Sequence, residues 1–224
     1  MTYSAVFWDN DGVLVDSERL YFQATQQVLR SVGVNLSLER YRGLYLKESR
    51  GAWHLAVKKG VAAVDVEKLR AKRNRIYAEL LRVENLAIDG AAQTLAALNG
   101  RVLMGVVTSS HRDHFEIIHA RTGFCRFFDF VITCDDVNET KPSPEPYLRA
   151  LEKSGRGPGD CVVVEDSARG LIAAKEAGLA CWIIPTELTR QSEFHQADRV
   201  LGSLADVLPL LLPSPQAVET THPG

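Results

Sequence analysis

The stretch Ser4-Ala5-Val6-Phe7-Trp8-Asp9-Asn10-Asp11-Gly12-Val13-Leu14-Val15-Asp16-Ser17-Glu18 changes character twice. Its apolar start runs to Trp8 and stops at an acid-rich turn, Asp9 to Gly12, which predicts a buried strand ending in a loop. From Ser17 a different spacing begins. Leu20, Ala24, Val28 and Val32 recur every four residues, the mark of a helix with Ser17 as its N-cap and Gly33 as its end. Trp8, directly before the first acid, is expected to pack rather than to meet a ligand.

Beyond Asp89-Gly90 the same alternation returns several times. Helix 91–99 precedes strand 102–108, helix 111–122 precedes strand 130–132, and helix 144–154 precedes strand 161–165. Helix 168–177 leads to strand 181–184, and a last strand at 199–201 and helix 203–211 close the series. Apolar strands alternating with helices predict an α/β fold with a Rossmann-like parallel sheet. Residues 37–82 read as helical throughout, so the block 16–86 interrupts the series as an inserted all-helical cap domain. The core is then 1–15 and 87–212. The proline-containing stretch 213–224 is expected to be a disordered tail. Within the insertion, Asp65 is placed to cap a long helix carrying Leu69, Ile76, Leu80 and Leu81. Its basic face, Lys68, Arg70, Lys72, Arg73 and Arg75, is expected to be solvated.

Composition narrows the function. Of 224 residues, 46% are hydrophobic and 24% charged, enough apolar material for a sizeable core and too much for a wholly disordered chain. The net charge of −2, from 26 basic and 28 acidic residues, argues against a nucleic-acid partner held by bulk charge. No run approaches the ~20 apolar residues of a membrane span, and the first residues lack the basic start of a secretory signal. The four cysteines, Cys125, Cys134, Cys161 and Cys181, form no close pair. Neither a structural zinc site nor a disulfide framework is expected, which suits a cytoplasmic protein. A monomer is the default expectation.

In a parallel sheet, ligands bind beyond the carboxyl ends of the strands. Those ends carry Asp9 and Asp11, then Thr108-Ser109-Ser110, then Lys141 in the loop beyond 130–132, then Glu165-Asp166. Four converging carboxylates need positive charge, and an oxygen-liganded Mg2+ ion with Lys141 would supply it. A cation, a hydroxyl pair and a lysine together suit a phosphate ester. Asp9 is the candidate nucleophile and Asp11 the candidate acid and base. Thr108, Ser109 and Lys141 are the candidate phosphate ligands.

These segments resemble, in order, the motifs of the haloacid dehalogenase-like superfamily. Asp9 to Glu18 resembles the first, and Val106-Val107-Thr108-Ser109 the second. Lys141-Pro142-Ser143-Pro144-Glu145-Pro146-Tyr147 resembles the lysine motif, and Val164-Glu165-Asp166-Ser167 with Gly170 the acidic metal motif. The resemblance implies a magnesium-dependent phosphatase acting on a small phosphorylated metabolite, such as a sugar phosphate, through an aspartyl-phosphate. It also implies metal ligation by the Asp9 side chain, the Asp11 main-chain oxygen and the Glu165/Asp166 pair. An aspartate at position 11 disfavours dehalogenation.

The β-phosphoglucomutase pattern of the same superfamily carries a histidine where this chain has Tyr21. It also carries a cap arginine where Gly43-Leu44-Tyr45-Leu46-Lys47-Glu48-Ser49 has Leu46. Tyr21 and Lys47 are therefore candidate specificity residues, and a phosphatase is expected over a mutase. A non-catalytic phosphometabolite-binding protein is the alternative of another class. Ser167 is expected to cap the next helix, and Asp16 to serve the hinge into the insertion. His54, His111, His114 and His119 are expected at the surface or in the cap.

Overall fold

The computed structural model describes residues 3–48 and 50–212. Ser49 and the stretch from Pro213 lie outside them, and with it the expected tail. The strands are β1 (Ala5–Trp8), β2 (Leu103–Val107), β3 (Phe130–Ile132), β4 (Cys161–Glu165), β5 (Ala180–Ile183) and β6 (Arg199–Val200). The longer helices of the sheet region are α5 (Ala91–Leu98), α6 (Arg112–Thr122), α7 (Glu145–Ser154) and α8 (Ala168–Glu176), with a short α9 (Leu208–Leu211) at the end. Between β1 and α5 lie α1 (Glu18–Arg30), α2 (Leu38–Tyr41), α3 (Trp53–Lys58) and α4 (Val66–Val83). The fold is α/β, a Rossmann-like sheet with an inserted helical block.

All strand pairs are parallel, in the order β3-β2-β1-β4-β5-β6. The central strand explains its own sequence. Side chains alternate across a strand with period two, so Val6 and Trp8 join Leu95, Phe115 and Ile118 on one face. Ala5 and Phe7 join Tyr147, Ala150 and Leu171 on the other. Both faces are covered, which is why β1 reads as an unbroken apolar run. Trp8 is fully buried, as its packing role requires.

The chain moves from β1 out to β3 and then returns to β4. The order therefore reverses between β1 and β4, and a crevice opens at their carboxyl ends. Trp8 stands opposite Val106 and Val164, so the next residue on each strand path arrives at this crevice.

The helical block has its own apolar cluster, including Val28, Leu36, Tyr41, Trp53 and Ala56. Leu20, Ala24, Tyr77 and Leu81 instead join the cluster of Trp8 and Leu14. The two chain crossings run side by side, with Asp16 N donating to Leu86 O at 2.8 Å and Ile88 N to Leu14 O at 3.0 Å. Segment 37–82 is less continuous than its composition suggests. After α2 the chain widens into one turn, Arg42–Lys47, and loops at Gly51 and Gly60 flank α3.

Two local expectations change and one holds. Asp65 stands at the N-cap position of α4 without a side-chain cap bond and accepts from Lys68 Nζ at 2.7 Å instead. Ser17 occupies the N-cap position of α1 without capping it; its hydroxyl donates to Asp11 instead. Ser167 does cap α8, accepting from Gly170 N at 3.1 Å. Among the described residues no helix is long and apolar enough to cross a membrane.

Candidate active site

Strand β1 hands Asp9 and Asp11 to the crevice, and Asp9 N is tied to Val164 O at 2.9 Å. Lys141, 2% exposed, reaches in from the loop after β3. Its ammonium donates to Asp9 Oδ1 at 2.6 Å, to Glu165 Oε1 at 2.7 Å and to Val107 O at 2.8 Å. A lysine so deeply placed is stable only because all three of its protons find oxygen. Burial would lower its pKa, but Asp9 and Glu165 raise it above the ordinary lysine value.

Glu165 is saturated. Tyr147 donates to Oε1 at 3.1 Å, and Asp166 N, Ser167 N and Ser167 Oγ donate to Oε2. Burial opposes its charge, yet Lys141 and these donors hold it below the usual glutamate range. Asp9 and Asp166 are in the opposite condition. Burial, with the Glu165 charge next, pushes Asp9 up to about 8. The same two causes push Asp166 well above a normal carboxylate. Asp166 oxygens accept no hydrogen bond among the described residues.

Asp9, Glu165 and Asp166 each offer an oxygen within 4.8 Å of the others. Such an all-oxygen set, carrying more charge than one lysine neutralises, fits a hard divalent ion. Two glycines make room for it. Gly12 has φ +90°, and a Cβ there would stand 2.4 Å from Asp166 Oδ2. A Cβ on Gly170 would stand 1.8 Å from Glu165 Oε1. Gly170→Ala gains helix propensity worth about 1 kcal/mol but overpacks a buried charged centre, which costs about 1–3 kcal/mol or more. Overpacking wins: the variant is expected to lose stability in urea denaturation, and an unchanged midpoint would refute this packing argument.

Asp11 is held differently. Thr108 Oγ1 and Ser110 Oγ both donate to its Oδ2 at 2.9 Å, and Ser17 Oγ donates to its Oδ1. The Thr108 proton is therefore committed to Asp11. Ser109 Oγ is buried without a partner among the described residues and lines the crevice. Between the two aspartates, Asn10 is fully buried, and His119 Nε2 lies 2.9 Å from its Oδ1.

The opposite wall comes from the helical block: Glu18, Tyr21, Tyr45, Leu46, Arg73 and Tyr77. Tyr21 faces the crevice, edge-on to both Tyr45 and Tyr77. Lys47 does not; it is exposed, and Leu46 takes the inward position. Arg73 corrects the expected solvated basic face. It is 6% exposed, its guanidinium lies 4.1 Å from the Tyr21 ring centroid, and Nε donates to Asn74 Oδ1 at 2.7 Å. Its α4 position turns inward against α1, which composition alone does not reveal.

Two histidines correct their expectation too. His114 and His119 are 3% exposed. Burial lowers the pKa of His114 and brings that of His119 to about 4. His111 has a carboxylate partner, Asp135. Asp16 is at the surface beside Arg19 at 2.9 Å. Sequence reasoning also missed Tyr147, Ser110, Ser17 and His119. Tyr147 lay within the quoted lysine motif and could have been found there.

Two carboxylates on one strand end, a fully engaged lysine and a spare acidic set for a divalent ion define a site for phosphoryl chemistry. The comparisons name the group. The sequence profile of the haloacid dehalogenase-like hydrolases matches residues 3–178, and the chain belongs to that family, as a phosphoric monoester hydrolase. It is 33% identical over 210 residues to validoxylamine A 7'-phosphate phosphatase of Streptomyces hygroscopicus subsp. limoneus, covering 92% of this chain and 96% of that one. It is 31% identical over 180 residues to a phosphorylated carbohydrates phosphatase of Thermotoga maritima, covering 78% and 82%. Among solved structures, CbbY from Rhodobacter sphaeroides in complex with phosphate superposes with a TM-score of 0.79 at 27% identity, covering 92% and 96%.

Proposed function

We propose that the protein is a magnesium-dependent phosphatase of a small, sugar-like phosphate monoester, working through an aspartyl-phosphate on Asp9. The observation that carries this is the division of labour between the two aspartates. Lys141 occupies Asp9 Oδ1, and Oδ2 accepts no hydrogen bond among the described residues, while three hydroxyls fix the Asp11 carboxylate beside it. Asp9 Oδ2 attacks phosphorus as the bond to the leaving oxygen breaks, and Asp11 gives that oxygen its proton. Asp11 then takes a proton from water. The water oxygen bonds to phosphorus, the Asp9–phosphorus bond breaks, and inorganic phosphate leaves.

Ser109, whose hydroxyl has no partner among the described residues, would take a phosphoryl oxygen, and Lys141, its three protons already engaged, would offset the phosphoryl charge from beside Asp9. The Asp9 side chain, the Asp11 main-chain oxygen and Asp166 would hold Mg2+, which would supply positive charge to the phosphoryl oxygens, and Glu165, its oxygens already taken by hydrogen bonds, would add its negative charge beside the ion. The helical block 16–86 acts as a cap, hinged where Val15-Asp16 and Ala87-Ile88 run side by side. The relatives' names, a validoxylamine phosphate and phosphorylated carbohydrates, support a hydroxyl-rich leaving group. Tyr21 and Leu46 facing the crevice support water, rather than a sugar hydroxyl, as the acceptor.

The test is release of phosphate from p-nitrophenyl phosphate and from a panel of sugar phosphates with Mg2+ present. Absence of Mg2+-dependent release from all of them rejects the reading.

Two further outcomes are expected. The Arg73 charge has no carboxylate within 4.0 Å among the described residues, and it lines the substrate wall. Arg73→Gln should raise KM for the best sugar phosphate about ten- to hundredfold, the size of one lost charged contact, with kcat changed far less. An unchanged KM removes Arg73 from substrate binding.

The second concerns pH. The raised pKa values of Asp9 and Asp166 mean that the metal-free folded protein binds more protons than the unfolded chain. Its stability therefore falls as pH rises from the ordinary aspartate value of 3.8 toward about 8. Mg2+ relieves that penalty, so the Tm gain on adding Mg2+ should be larger near pH 8 than near pH 5. Equal gains in a thermal-shift series would contradict it.

A further inference from the structure

A second cluster lies outside the carboxylate centre. His111 stands just before α6, at the end of the loop after β2, and Cys134-Asp135 follow β3. Neighbouring parallel strands carry both loops, and Cys134 N donates to Ser110 O at 3.1 Å, locking one to the other. Arg112 N donates to Asp135 Oδ2 at 2.8 Å, which turns Asp135 Oδ1 toward the histidine.

Three donor atoms then converge. His111 Nδ1 is 2.8 Å from Asp135 Oδ1 and 3.2 Å from Cys134 Sγ, and Sγ is 3.7 Å from Oδ1. A nucleophile relay would place the thiol and the carboxylate on opposite ring nitrogens. Here both face the same nitrogen, and one nitrogen cannot serve both as a relay. The triangle instead matches one face of a coordination tetrahedron. Metal bonds of about 2.0–2.3 Å give edges of roughly 3.3–3.7 Å, so the ligands need shift only by a few tenths of an ångström.

We propose that His111 Nδ1, Cys134 Sγ and Asp135 Oδ1 form a three-ligand site for a late divalent cation of the zinc class, with its fourth position open to water. The nitrogen, sulfur and oxygen donors select such an ion over magnesium, whereas the Asp9/Asp166 set is all oxygen and selects the reverse. The ion takes the place of the thiol proton, which leaves to solvent. That proton is firmly held without metal: burial and the Asp135 charge push the thiol up to about 12. The neighbouring Asp113 and Asp136 charges act on the same thiol and favour a dication there. Cysteine spacing could not suggest this site, because it uses one cysteine and draws on two loops.

The full-length metal-free protein is titrated with Co2+ in the presence of excess Mg2+, and thiolate-to-cobalt charge-transfer absorption is read. One equivalent is expected to saturate the band, and Zn2+ to abolish it by displacement. Cys134→Ser should lose the band while keeping the wild-type far-ultraviolet circular dichroism. His111→Ala and Asp135→Asn should weaken Co2+ binding by at least about tenfold. Cobalt on the Asp9 set gives no thiolate band, so the two sites are told apart. No band in the wild type overturns the proposal, and so does a band that survives Cys134→Ser, since it would belong to another cysteine such as Cys125.

Discussion

Asp9→Asn should leave a folded protein that releases no measurable phosphate, with turnover down on the order of 10^4-fold or more, as for other covalent nucleophiles. The amide keeps the shape of the carboxylate. Its oxygen can still accept from Lys141, whose other contacts, Val107 O and Glu165, are untouched. What disappears is the negative charge that attacks phosphorus. That charge is itself costly before metal binds, because burial and Glu165 oppose it. The variant should therefore match or exceed the wild-type Tm when Mg2+ is withheld. Activity above about a hundredth of wild type would show that another group is the nucleophile. Loss of folding would show that the Asp9–Lys141 pair is structural first.

Lys141→Met is the opposite case, losing both stability and turnover. The substitution leaves the Asp9 and Glu165 carboxylates buried without their shared cation and removes three hydrogen bonds at once. Breaking a buried ion pair by removing one partner costs about 3–5 kcal/mol. For a chain of this size that lowers Tm by roughly 6–20 °C. The sign of its pH dependence is fixed. Without Lys141 the two carboxylates are harder to ionise in the folded state, so the folded variant holds extra protons. Its deficit should be greatest at neutral pH and shrink as pH falls toward the unfolded carboxylate values. Urea denaturation at several pH values reads this directly. A deficit that is the same at pH 5 and pH 7.5 would mean that the loss is one of packing alone.

Much of the sheet could be read without coordinates. The apolar runs at Ala5–Trp8, Leu103–Val107 and Cys161–Glu165 are strands buried on both faces, and burial on both faces is what makes a run continuous. Leu20, Ala24 and Val28 are buried at the four-residue spacing that announced α1. The places that could not be read are those where two distant segments decide the outcome. Arg73 looks like its exposed neighbours Lys72 and Arg75 until α4 is laid against α1. Ser17 looks like a cap until Asp11 is brought within reach of its hydroxyl. Leu46 and Lys47 are adjacent, and only the wide turn at Arg42–Lys47 settles which one faces the crevice.

Local order along the chain therefore determined which side chains stand at the strand ends: Asp9 and Asp11 after β1, Thr108 to Ser110 after β2, Glu165 as the last residue of β4 and Asp166 just beyond it. Alternation and helical spacing are properties of neighbours in sequence, and neighbours are visible in a one-dimensional string. Which oxygen meets which proton was decided only in three dimensions. Lys141 spans 132 positions to Asp9 and His119 spans 109 to Asn10. Such contacts depend on the sheet order β3-β2-β1-β4 and on burial, which raises or lowers a group's charge by what surrounds it rather than by what precedes it.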